Sequence, residues 1–143
     1  MYVVDLYNGI FKALANDPSI LELLEITEGN ALVKAKRIQK RSDPQNIVEN
    51  LPLIAFYSPG GAKDFNNDQV YGATFVFDIY TNDDIDKAHK IANRIYRLFD
   101  KEIPSFSGLE TYETDFEDAH QSATDLQNTY CFTVIMTFNI TID

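Results

Sequence analysis

The clearest pattern in the chain is an alternation from Ala73 to Tyr80 that passes, within a few residues, into a helical repeat. Ala73, Phe75, Phe77 and Ile79 fall on one side and Thr74, Val76, Asp78 and Tyr80 on the other, which predicts a half-buried strand. Ile85, Ala88, Ala92, Ile95 and Phe99 then recur every three or four residues, with Ile91 and Leu98 widening the stripe. That period predicts a helix whose apolar side packs on the sheet. Asn82 is placed to cap it, and Asp83, Asp84 and Asp86 put negative charge at its positive pole. Lys87, Lys90, Arg94 and Arg97 lie off the stripe.

A second alternation is longer. Tyr130, Phe132, Val134, Met136, Phe138, Ile140 and Ile142 face Cys131, Thr133, Ile135, Thr137, Asn139 and Thr141 across a strand of about fourteen residues, well past the usual five or six. Such a strand bends, or projects beyond its domain and offers an edge to a neighbouring subunit. At the other end of the chain, Val3, Leu6, Ile10, Ala13 and Leu14 keep helical spacing. Asp17 then caps a short helix that starts at Pro18 and carries Ile20, Leu23 and Leu24, with Glu28, Gly29 and Asn30 ending it.

The remaining segments are less periodic. ALVKAKRIQ, residues 31–39, has no clean apolar face and reads as a strand or extended edge. SDPQNIVEN is loop-like, LPLIAFY is a short buried strand starting behind Pro52, and SPGGAKDFNNDQ, residues 58–69, is a long turn or mobile loop. LETYETDF alternates weakly, and EDAHQSATDLQN reads as an acidic, solvated turn before the final strand. Strands interrupted by one long helix give an α+β fold, a mainly antiparallel sheet of about four strands with helices packed on one face.

Length changes this picture little: 143 residues are one domain's worth, so residues 1–143 are expected to share one core. Apolar runs as short as Leu53 to Tyr57 exclude a membrane-spanning helix, and the N-terminus lacks the pattern of a secretory signal, so no membrane partner is expected. Cys131 is the only cysteine and reads as a small buried hydrophobe.

Charge changes it more. A net charge of −10 disfavours sequence-independent nucleic-acid binding. Lys34, Lys36, Arg37, Lys40 and Arg41 cluster in KAKRIQKR, whereas Glu102 to Asp143 contains eight acids and no Lys or Arg. The basic run reads as a solvated edge that discourages stray pairing, or as a docking surface for an acidic partner, another copy of this chain included.

Candidate chemistry is sparse. Asp115, Glu117, Asp118, His120 and Asp125 fall within eleven residues and could hold a divalent metal for a hydrolase or nuclease. Their spacing matches neither the calcium loop nor the helical two-histidine zinc motif. SPGGAK lacks the ending of a phosphate loop, no Gly-x-Ser-x-Gly elbow occurs, and His89 reads as a helix-surface residue. No cofactor is implied, and a non-enzymatic role is expected.

KAKRIQKR, NLPLIAFYSPGG, FVFDIYTNDD and NTYCFTVIMTFNI, in this order of elements, resemble the tail terminator or head-to-tail joining proteins of long-tailed bacteriophages and prophages, from Tyr2 to Ile142. The resemblance implies an α+β virion protein that waits in the host cytoplasm and then forms a ring, expected to be a hexamer. That ring would cap the tail tube and dock on the head connector, with double-stranded DNA passing through unbound. The subunit or partner interface then falls to Lys34, Lys36, Arg37, Lys40 and Arg41, and to Gly60, Gly61, Lys63, Asp64 and Phe65 of the loop. Asp115, Glu117 and Asp118 are expected to line the channel, where an acidic wall repels phosphate. The alternatives are the metal-dependent hydrolase or nuclease above and a cytoplasmic adaptor that binds an acidic partner through KAKRIQKR.

Overall fold

The computed structural model of the chain describes residues 3–27 and 30–142. Helix α1 (Val3–Ala15) buries Leu6, Ile10 and Leu14, and α2 (Pro18–Leu23) buries Ile20 and Leu21. Asp17 caps α2 as expected, its side chain accepting from the Ile20 amide at 3.0 Å. Glu28 and Gly29, expected to end that helix, lie outside the described residues.

The next segment corrects the expectation of a strand. Ala31–Arg37 is helix α3, capped by Asn30, whose side chain accepts from the Val33 amide at 3.2 Å. Arg37 fixes the other end by donating from Nη1 to the Leu24 carbonyl at 2.6 Å. A cap and one long-range bond therefore hold a helix whose own sequence has no apolar stripe. Only Ile38–Gln39 forms a strand, β1.

The sheet contains β1, β2 (Leu53–Lys63), β3 (Val70–Thr81), β4 (Asp115–Ser122) and β5 (Tyr130–Thr141). Their order is β1-β2-β3-β5-β4, and only the β1 to β2 pairing is parallel. The α+β class holds, with five strands in a mixed sheet instead of about four. β4 replaces the expected acidic turn: seven of its residues pair with β5, with an irregularity between Phe116 and Asp118. β5 lies between β3 and β4, so the expected free edge belongs to β4 instead.

Helix α4 (Ile85–Phe99) buries Ala88, Ile91, Ala92, Ile95 and Phe99. Two details differ from the sequence reading. Asp84, not Asn82, supplies the cap, accepting from the Lys87 amide at 2.9 Å, and Ile85 is 52% exposed because it precedes the packed turns.

The core lies between the helices and one face of the sheet. Phe56, Phe75, Phe77 and Phe138 project from the strands toward Phe99 of α4, with ring centroids 5.1 Å apart for Phe99 and Phe138 and 5.5 Å for Phe75 and Phe138. Gly9 in α1 leaves the space that the Phe106 ring occupies. Leu53, Ala55, Val76, Cys131 and Thr133 are buried outside this core, on the sheet's opposite face.

Candidate assembly interface

Three surfaces carry the residues singled out in the sequence. The first is an arm. β2 and β3 continue as a ladder to the end of the sheet, pairing Gly60 with Thr74, Gly61 with Ala73, Ala62 with Gly72 and Lys63 with Tyr71, while β3 stays paired with β5 on its other side. The expected loop 58–69 is therefore strand as far as Lys63, which corrects its length and its nature. Glycine and proline, loop signals on their own, are accommodated because β3 supplies the partner and an irregularity between Tyr57 and Gly60 absorbs the misfit. Residues 59–69 are all exposed.

The arm's tip is short and ordered by its own side chain. One carboxylate oxygen of Asp64 accepts from the amides of Asn66 at 2.7 Å and Asn67 at 3.1 Å, while the Asp64 amide donates to the Val70 carbonyl at 2.8 Å. Phe65 projects there with 100% of its surface exposed. At the arm's base, the Ser58 amide donates to the Tyr7 hydroxyl at 2.7 Å, anchoring it to the start of α1. Any side chain at Gly61 would strike the Gly72 carbonyl and Tyr71, so close strand approach requires glycine there.

The second surface is a basic corner. Lys34, Lys36 and Arg37 occupy the last turn of α3, and Lys40 and Arg41 follow β1. Two of these cations work within the chain: Arg37 holds α2 through Leu24, and Lys40 donates to Asn8 at 3.0 Å while standing 5.5 Å over the Phe11 ring. Lys36 and Arg41 are exposed. The corner lies at the β1 edge and the acids of β4 at the opposite edge. The charge asymmetry of the sequence thus becomes an asymmetry across one sheet.

The third surface is the face that carries no helix of the core. Tyr57, Val76, Asp78, Tyr80, His120, Cys131, Thr133 and Ile135 line a shallow depression of about 290 Å³ there. Asp78 accepts from Thr133 at 2.6 Å, and Thr133 is also hydrogen-bonded to Ser122. Burial pushes the Asp78 carboxyl above its ordinary value, opposed by the Thr133 bond. Burial likewise raises Tyr57 and Tyr80, and lifts the Cys131 thiol to about 11, leaving it protonated and unreactive at neutral pH. Asp78 carried no signal in the sequence, because an outward position on an alternating strand looks solvated until its neighbours are known.

The carboxylates once grouped as a metal site are spread along β4. Asp118 meets His120 Nδ1 at 3.1 Å, whereas Asp115 meets Asn139 at 3.2 Å and Lys101 at 3.7 Å. Asp125 lies beyond the strand. Among the described residues, no three His, Cys, Asp or Glu side chains gather as a metal site would need.

No family model matches the chain, and no curated protein matches it. Among solved structures it is similar to a chain in the virion of a native gene transfer agent particle. The TM-score is 0.68 over 96% of this chain and 95% of that one, at 12% identity. At that identity the likeness is one of fold, and it extends over nearly the whole of both chains.

Proposed function

We propose that the protein is a structural subunit of a bacteriophage or prophage virion, a tail terminator that closes into a ring around the DNA channel between tail tube and head connector. The observation that carries this reading is a pair of unlike surfaces at opposite ends of one chain. The tip of the arm leads away from Tyr7 of α1, and Lys34 of the basic corner lies by the C-terminal end of that helix, with Lys40 midway along it. A ring needs such a heterologous contact, one patch meeting a different patch on the next copy. Six copies is the expected closure.

Three further observations support it. The fold is shared with a chain of a virion particle over almost its full length. The four long strands carry a single cation, Lys63 on the arm, while the uncovered face presents Asp78, Asp115 and Asp118. Turned inward, that face with Glu117 beside it repels phosphate and lets a duplex slide. The role asks for fit between surfaces, and no bond-making step is assigned to any residue.

Negative-stain imaging of purified tail tubes mixed with the protein tests this reading. Discrete added density at one end of each tube is expected. Bare tube ends at saturating protein would overturn it.

A further inference from the structure

We infer that Phe65 of one copy seats in the cavity at the C-terminal end of α1 in the next copy. This rests on the ring reading above and specifies its contact. Phe65 stands fully exposed on an ordered turn and so presents a whole phenyl ring to a neighbouring copy. The cavity has a volume of about 360 Å³ and apolar walls from Ala15, Pro18, Leu21 and Ile26. It is an open groove with Asn16, Glu22 and Lys34 among its lining, wide enough for a phenyl ring to lie against the apolar wall.

The charges match in kind. Lys34 and Glu22 stand at the cavity wall, and Phe65 is flanked by Asp64, with Asp68 and Lys63 close in sequence. Asp64 keeps one carboxylate oxygen outside its turn bonds, and it can face Lys34 while Lys63 faces Glu22. Like-signed pairings exist in other registers, so the match also selects one orientation.

Geometry excludes the same contact within one chain. Ser58 meets Tyr7 near the start of α1, and from there the arm leads away to Phe65, about 20 Å further at strand rise. The cavity is at the other end of α1, eight residues and so about 12 Å beyond Tyr7. Lys40, which follows β1, reaches Asn8 and Phe11 midway, fixing the direction in which α1 runs over the sheet. The tip and the cavity therefore point to different molecules.

Cysteine pairing tests the contact in a Cys131→Ala background. Phe65→Cys protein and Asn16→Cys protein are mixed at high concentration and oxidised with copper phenanthroline, both sites being exposed in the single chain. A mixed disulfide well above either variant alone is expected. In the wild-type background, Phe65→Ala should weaken self-association at least tenfold, and Phe65→Leu should retain most of it. Rings that form normally without the mixed disulfide, or with Phe65→Ala, would overturn this inference and leave the ring reading standing. Absence of any self-association, in solution and on tube ends, would overturn both.

Discussion

Arg94 donates from Nε to a carboxylate oxygen of Asp17 at 2.8 Å, the same oxygen that accepts from the Ile20 amide. One acid, 7% exposed, thereby caps α2 and ties it to α4. Asp17→Ala should destabilise the protein by about 2 kcal/mol, since it removes a cap and strands a partly buried cation. Chemical denaturation measures this. The Arg94 hydrogen bond holds the Asp17 carboxyl below its ordinary value of 3.8. A depressed acid contributes stability above its unfolded value and loses it as pH falls through the lower folded value. The Asp17→Ala deficit should thus be full at pH 7 and shrink below about pH 4.

Asp78 should behave in the opposite sense. Its carboxyl is raised by burial, so ionisation costs folded-state stability above the folded value, and that cost fades as pH falls through it. Asp78→Asn keeps an acceptor for Thr133 and should raise the melting temperature at pH 7. The advantage should vanish in acid, where the wild-type carboxyl is protonated in both states. Thermal melts of the two proteins across this range check it.

Phe138 stacks edge-on against both Phe75 and Phe99 and is 1% exposed. Phe138→Ala should cost about 3–5 kcal/mol through lost burial and the cavity left behind. Phe116, on the β4 edge and packed only partly against Tyr96, should cost under about 1 kcal/mol on the same substitution. Urea midpoints of the two variants give the comparison.

Gly61 links the arm to the sheet beneath it. Gly61→Val forces a side chain into the Gly72 carbonyl and Tyr71; Gly72 lies on β3, paired on both sides, and Tyr71 packs against the core. The melting temperature should fall by several degrees and self-association at least tenfold. Calorimetry and sedimentation on one sample distinguish the two effects.

The elements read correctly from sequence are those whose own residues carry the burial pattern. β3, α4 and β5 bury most of the positions their periods select, because each contributes a face to one core; Ile85 is exposed and Leu98, Tyr130 and Phe132 are half-buried. ALVKAKRIQ reads as extended because it has no clean apolar face, and the helicity of Ala31–Arg37 depends on Asn30 and on a bond from Arg37 to Leu24. β4 was read as a turn because Glu117, Asp118, His120 and Gln121 are polar and exposed, and only the register with β5 makes them a strand. The arm was hidden by its Pro59, Gly60 and Gly61, residues that signal a loop unless a paired strand is known to lie alongside. The cavity that receives Phe65 joins side chains of three helices, which no local pattern reveals.

The central claim is that copies of this chain join arm to corner and close. Native mass spectrometry over a rising concentration series, repeated on protein released from tail-tube ends, tests it most directly. The account predicts a single closed stoichiometry, expected to be six, that disappears when Phe65 is replaced by alanine. An open ladder of sizes without a preferred number, or a monomer both in solution and after release from tubes, would contradict it.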